Sequence, residues 1–370
     1  MPTRRWALDP TSQRVALTIL RRGPISRADL GRLLDLSSAS VTRLTRPMVA
    51  AGILIERAPQ GRSLGRPALP LDIAADSATF VGLKVSHEGL HAVLTDLRGT
   101  ILATSSCDGD RLSPLAVAGG VSTLLEDLTE GRRAPDALGV SLGATVDRDG
   151  LVRGAHYLGW NGAVDLAALL EGATGLRTTI DNDVNAFTVA EHWFGAGRDT
   201  EEFAVLTIGA GVGLGLVCRD EMVRGYAGAV GMVGPVRVLG GRRAEDVLNA
   251  RALEERVRPM LDGPPPGPDG LVALADADPR LAEVLDEVAD AVGELVGTVI
   301  AITAPERVLV AGEGAPLLAG REDRVLAAVG RMHPEHMAAP DVVVEVVGDD
   351  EWARGAAALA IRAHMGADGS

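Results

Sequence analysis

Residues 180–197 read IDNDVNAFTVAEHWFGAG. An apolar run ends at Ile180, the polar group Asp181, Asn182, Asp183 and Asn185 follows, and an amphipathic helix starts there. A carboxylate at a strand end and a helix N-terminus is favoured in its ionised form by the helix dipole and can accept a hydrogen bond from a hydroxyl. Asp183 therefore has three open readings: a general base, an acceptor for a polyhydroxy ligand, or only a helix cap.

The flanking sequence supplies the frame. From Thr79, TFVGLKV, HAVLTDL and TILATSS read as short strands, a helix is expected near residues 115–129, and ALGVSL is a buried strand ending at Gly143. A comparable order returns in EFAVLTIGAGVGLGLVCRDEMVRG and PERVLVAGEG, with helices near 245–257, 279–303, 321–330 and 351–366. The duplication predicts two α/β lobes with a cleft between them. LDGPPPGPDG, residues 261–270, reads as a Pro/Gly loop. TIGAGVGLG places glycines at 209, 211, 213 and 215, either for a turn whose amides face a phosphate or for close packing alone.

Composition narrows the classes. At 370 residues and 46% apolar content the chain can bury more than one core. With no apolar run of about 18 residues and no signal core at its start, a membrane span or secretion is not indicated, and a cytoplasmic location is expected. Cys107 and Cys218 each sit in an apolar stretch and are expected as buried thiols, without disulfide or metal. Lys84 is the only lysine, which excludes a G-x-x-x-x-G-K-[ST] phosphate loop and a Schiff base anywhere else.

Charge is unevenly spread. Residues 1–70 hold 12 Arg and 4 acids, a net +8, while the whole chain is −14. A basic module on an acidic body suggests that the module binds a polyanion. Its sequence gives a first helix carrying Val15, Ile19 and Leu20 to a stop at Gly23, and a second capped by Ser26. A third starts at Ser37 or Ser38, with Val41, Leu44, Met48 and Ala51 as an inner stripe and Pro47 as an expected kink. Its outer face, Ser38, Ala39, Ser40, Thr42, Arg43 and Arg46, suits a major groove, and Arg27 joins it from the second helix. ILIE and ALPLDI read as strands around RAPQGRSLGRP, a wing whose Arg62 and Arg66 can follow the DNA backbone or enter a minor groove. The expected division is a winged helix-turn-helix over 1–73 and an α/β body over 74–370.

Taken together, LGW at 158–160, the IDNDVNAFTVAEHWFGAG stretch, TIGAGVGLGLV at 207–217 and PERVLVAGE at 305–313 resemble the ROK family of sugar kinases and sugar-responsive repressors. The resemblance covers nearly the whole chain and implies a two-lobed, actin-like sugar-kinase fold with sugar in the cleft. It also implies that Asn182 and Asp183 are the sugar-binding pair, Asp183 matching the catalytic base. Other positions depart from the kinases. GLKVSHEG stands where they carry a D-x-G-G-T-type turn, so Lys84 replaces a metal-holding Asp, and Ser86 and His87 replace glycines. GMVGP stands for G-E-x-G-H, so Met232 replaces a sugar-binding Glu and Pro235 a zinc-binding His, and RVLGGRRAED contains no cysteine to complete a zinc site. No zinc and no cofactor are expected. The resemblance also implies that Glu245 matches the Glu that ends the family's G-C-L-E run.

Phosphoryl transfer needs several groups acting together, so the expectation is a regulator and not an enzyme. The favoured reading is a repressor that binds operator DNA as a homodimer and is controlled by a carbohydrate-like ligand held by Asn182, Asp183, Glu245 and Trp160. The alternatives are a regulator whose altered pocket answers to another metabolite or to none, and a sugar kinase. Trp160 offers an indole face to a sugar or packs at a strand end. His333 and His336 are expected as a surface pair, and His192 as packing or surface.

Overall fold

Short polar caps set the first three helices. Asp9 accepts from the Thr11 and Ser12 amides and starts α1 (Pro10–Arg22). Ser26 does so for α2 (Arg27–Leu34) through the Asp29 amide, and Ser37 for α3 (Ser38–Ala50) through that of Ser40. Val15, Ile19, Leu20, Leu30, Val41, Leu44 and Met48 are buried among them. Ala51 is the exposed C-cap of α3 and not part of its inner stripe, because the helix stops one residue short of it. Pro47 lies inside α3, which runs on to Ala50. Strands β1 (Leu54–Glu56) and β2 (Leu71–Ile73) pair antiparallel, and Ile25 bridges to Leu71.

The structure is a computed structural model that describes residues 8–58, 69–110, 112–147, 149–333, 336 and 340–366. Arg62 and Arg66 lie outside the described residues. The chain divides into two compact units, one running through Asp199 and resumed from Trp352, the other Thr200–Glu351.

The first unit continues through β3 (Thr79–Val85), β4 (Gly89–Asp96), β5 (Ile101–Asp108), α4 (Pro114–Thr129) and β6 (Ala137–Leu142). A small hairpin follows, β7 (Thr145–Val146) with β8 (Val152–Arg153), then α5 (Leu166–Thr174), β9 (Thr178–Asn182) and α6 (Asp183–Phe194). The sheet order is β5-β4-β3-β6-β9, antiparallel across its first two pairings and parallel across the rest. α4 and α5 cover one side of the sheet with Val117, Val121, Leu124, Leu166 and Leu170.

The second unit repeats the plan. Its elements are β10 (Phe203–Ile208), β11 (Val212–Cys218), β12 (Glu221–Met222), β13 (Arg237–Val238), β14 (Arg242–Arg243), α7 (Glu245–Leu248), α8 (Ala250–Val257), α9 (Pro268–Ala275), α10 (Pro279–Thr303), β15 (Arg307–Ala311), α11 (Glu322–Met332) and β16 (Asp341–Val344). The order β12-β11-β10-β15-β16 has the same sequence of pairing directions. α10 is the centre of this core, from Leu281 through Val292 to Ile300. α12 (Asp349–His364) then leads back into the first unit.

Some expectations need correcting. The helix expected over 245–257 is two, because Asn249 turns extended and its side chain caps α8 through the Arg251 and Ala252 amides. The Pro/Gly loop ends early: Pro268 is the first residue of α9, a position where its missing N–H costs nothing. Neither cysteine is buried. Cys107 is half-buried, and Cys218 is exposed at the end of β11 with its thiol against Glu202, whose hydrogen bond pushes the thiol pKa up. Among the described residues no group of three or more His, Cys, Asp or Glu is placed to hold a metal ion. No helix among them is long and apolar enough to cross a membrane.

Candidate functional site

The C-terminal ends of the parallel strands β6 and β9 meet the start of α6, the kind of place where open α/β sheets bind ligands. Asn182 is the cap: its Oδ1 accepts from the amides of Val184 at 3.0 Å and Asn185 at 3.4 Å, while Nδ2 donates to the Ala144 carbonyl at 3.1 Å. Buried Asp181 accepts from Asn185 Nδ2 at 3.0 Å and holds the turn from behind. With capping done by Asn182, Asp183 need not serve as the cap. Its Oδ1 accepts from the Val184 amide at 2.8 Å. Its Oδ2 lies on the side of Gly143, where an added Cβ would come within 3.5 Å of it and 3.9 Å of Tyr157 Cδ2.

Tyr157 and Asp183 thus flank the same Gly143 backbone, and Tyr157 is 60% exposed. Sequence reasoning missed it. The available signal was that only two tyrosines occur in the chain and one abuts LGW. Trp160, which sequence reasoning offered as a ligand-binding face, is 6% exposed. Its Nε1 donates to the Leu112 carbonyl at 2.8 Å, so both the ring and its polar handle are used in packing.

Strand register places Lys84, Ser141 and Asp181 side by side in one row across β3, β6 and β9. Lys84 stands where the kinase pattern has a metal-holding carboxylate, and its Nζ sits 5.4 Å from the centre of the Trp352 ring. In the second unit the glycine turn between β10 and β11 is formed, yet a Cβ at Gly209 would run into the Glu313 carboxylate. A negative group beside that turn opposes a phosphate. Met232 is 74% exposed and Pro235 is exposed as well. Glu245 is the first residue of α7, with Oε1 2.5 Å from Arg243 Nη2 and its side chain packed on Gly234, so its charge is already matched within the second unit.

On the outer face of α3, Ser38, Ala39, Thr42, Arg43 and Arg46 are exposed and Ser40 is half-buried. Thr42 Oγ1 donates back to the Ser38 carbonyl at 2.9 Å. Among the described residues neither Arg43 nor Arg46 has an ion pair, so both cations are available to an incoming polyanion. Arg27 differs: its Nη2 donates to Glu56 Oε1 at 2.7 Å, which ties α2 to β1 and neutralises much of its charge. His192 is 2% exposed, and its Nε2 lies 2.9 Å from Arg21 Nη2.

The ROK family model matches residues 80–363. A putative xylose repressor of Caldicellulosiruptor sp. (strain Rt8B.4) is 30% identical over 231 residues, 60% of this chain and 57% of that protein. The match therefore spans little more than half the length of that relative. The DNA-binding transcriptional dual regulator NagC of Escherichia coli (strain K12) is 25% identical over 323 residues, covering 79% of this chain and 77% of NagC. Among solved structures, a ROK family transcriptional regulator, described as a homolog of the E. coli MLC protein, superimposes with a TM-score of 0.76 at 23% identity. It covers 96% of each chain and so shares the fold.

Proposed function

The chain belongs to the ROK family, and from that premise we propose that it is a DNA-binding transcriptional repressor controlled by a small carbohydrate-like ligand. Residues 1–73 act as a winged helix-turn-helix, with α3 as the reading helix, and residues 74–370 as the sensor. The observation that carries the reading is the outer face of α3, where small polar residues surround Arg43 and Arg46, two cations without an ion pair among the described residues. The xylose repressor and NagC, similar over the spans given above, support the same direction.

Two half-sites read by one short helix each are needed for useful specificity, so the protein acts as a homodimer on a pseudo-palindromic operator. Operator binding places it in the cytoplasm. The ligand site is built on the first unit. Asp183 Oδ2 accepts a hydroxyl, Asn182 sets the turn that aims it, and the exposed Tyr157 ring offers a flat apolar face to the C–H side of a sugar. The protein is not a kinase: Lys84 occupies the metal-holding position, and Glu313 crowds the second glycine turn. A second reading, in which the ligand is a metabolite other than a sugar, is favoured by the exposed Met232 and Pro235 where the family's pattern has Glu and His.

The experiment is selection of operator fragments from random duplex by the full-length protein, then affinity measurement for Arg43→Ala at fixed salt. A base-reading arginine is worth about 1–3 kcal/mol, which corresponds to roughly five- to 150-fold in affinity. Unchanged affinity would remove Arg43 from base readout, and failure to select any sequence would end the repressor reading.

A further inference from the structure

The helix that opens at Asp183 closes against the DNA-reading head. α6 is 12 residues long, about 18 Å at 1.5 Å per residue, with no break between its two ends. At its far end Trp193 is buried in the same cluster as Val15, Ile19 and Leu20 of α1. Next to it, His192 Nε2 lies 2.9 Å from Arg21 Nη2, both residues being buried. A guanidinium has only donors, so Nε2 is the acceptor and the neutral ring carries its proton on Nδ1. The chain then turns through Gly195–Gly197, where the Gly195 and Gly197 amides donate to the Glu191 carbonyl. The Glu191 carboxylate accepts from the Ala196 amide at 3.0 Å and pairs with Arg354 at 2.6 Å. That turn delivers Arg198, whose Nε donates to the Arg21 carbonyl at 2.6 Å and Nη2 to the Gly23 carbonyl at 2.7 Å. From the other side Arg98 Nη1 donates to the Leu20 carbonyl at 3.0 Å.

The carbonyls at a helix C-terminus have no partner within the helix and must be satisfied from outside. Here the outside partners are arginines of the α/β body. An apolar interface alone is non-directional and tolerates rotation. Directed hydrogen bonds to the Leu20, Arg21 and Gly23 carbonyls, together with the His192 contact, fix how α1 is turned on the body. They fix α3 with it, because α1 and α3 share one core.

We propose that His192 and Arg198 are positioning residues for DNA readout, holding the head in one orientation on the far end of the helix that begins at Asp183. The head is a fixed part of the first unit and does not swing on a linker. This inference rests on the repressor reading for its DNA arm. A rigid head profits from a second half-site only when the spacing matches, whereas a loosened head keeps much of that avidity at other spacings.

The test uses full-length wild type, Arg198→Ala, His192→Phe and His192→Gln. Each is measured on a single half-site, on the selected two-half-site operator, and on the same operator with about five base pairs inserted, half a helical turn. Wild type is expected to prefer the correct spacing by about a hundred-fold. Arg198→Ala and His192→Phe should lose most of that preference while binding the single half-site as wild type does, and His192→Gln, whose amide oxygen can accept from Arg21, should restore it. Hydrogen exchange of the last-turn amides of α1 should quicken in Arg198→Ala, which keeps the proposal testable if His192→Phe fails to fold. Full spacing preference in Arg198→Ala, or unchanged α1 exchange, overturns the proposal. If wild type binds no DNA, the repressor reading fails instead, and the exchange measurement alone decides whether the clamp exists.

Discussion

Counting from the phenylalanine near the start of each central strand, Phe80 on β3 and Phe203 on β10, the third parallel pair is Gly82 with Gly139 in the first sheet and Val205 with Leu309 in the second. The strand plan is the same and the packing distance is not. A Cβ at Gly82 would run into the Ala353 carbonyl, and one at Gly139 into the Ala356 carbonyl, so the backbone of α12 lies directly on the first sheet. Gly355 of α12 in turn meets the backbone of Ala186 and Phe187 in α6. In the second sheet the matching positions carry the fully buried side chains of Val205 and Leu309, while α10 covers the opposite face, packing on Ala204, Leu206, Val308 and Val310 as α4 packs on the first sheet. One duplicated topology thus supports two mechanical grades. On the Gly82–Gly139 face, the unit that carries the DNA head and the Asp183 helix is stacked nearly backbone to backbone, and the matching face of the second sheet is cushioned by side chains.

The comparison is most exposed to a one-carbon change in each sheet. Gly139→Ala adds a methyl against the Ala356 carbonyl and the Ala360 amide, backbone atoms that cannot rotate away, so the helix must lift off the sheet; the cost is expected at about 3 kcal/mol. Leu309→Val removes one carbon from a fully buried side chain and should cost about 0.5–1.5 kcal/mol. Denaturant midpoints, with hydrogen exchange read separately for each unit, measure both. Equal costs would mean that the two sheets are packed alike after all.

The second prediction concerns function at the stiff unit's edge. Asp183→Ala should abolish the rise in melting temperature that pentoses, hexoses or amino sugars produce in wild type, since the acceptor beside Gly143 is lost. Operator affinity should stay within a few-fold. Tyr157→Ala should weaken the same ligand less, by about 1 kcal/mol for a lost aromatic face. A variant lacking Asp183 that still shifts like wild type would move the ligand site elsewhere.

Much of this was legible in sequence, and the reasons differ by region. The strands, the long α10 and the caps Ser26 and Ser37 are local: apolar runs and helix periodicity declare themselves within a dozen residues. The first glycine turn announced its own loss, because Lys84, Ser86 and His87 stand in the turn itself. The second turn kept its glycines, and the carboxylate beside it comes from Glu313, more than a hundred residues away and invisible to a reading of the turn. Nothing near His192 in sequence points to its partner, because Arg21 lies 171 positions upstream. Trp160 and Tyr157 are three residues apart, and only the fold decides which ring turns inward. The return of α12 to the first unit is likewise written in no local pattern.

The smallest expected effect lies at the tip of the cushioned unit's main helix. Asp278 caps α10, and its hydrogen bonds with the Arg280 side chain, at 2.6 Å to Nη2, and with the Arg280 amide pull its pKa from an ordinary 3.8 to about 2. A carboxyl whose pKa is lower in the folded chain contributes stability that is complete above its unfolded value. That contribution fades as pH falls from near 4 toward 2. Asp278→Asn keeps a capping oxygen but loses the charge, so wild type should be slightly the more stable at pH 7, with the gap narrowing steadily as pH drops below 4. Because the Asp278–Arg280 pair lies at the surface, with Asp278 half-buried and Arg280 exposed, the gap should also shrink in high salt. Denaturant midpoints of the two proteins at pH 7, 4 and 3 follow it. A gap that held constant from pH 7 to pH 3 would mean that the Asp278 charge contributes nothing at this cap and that only its oxygen does.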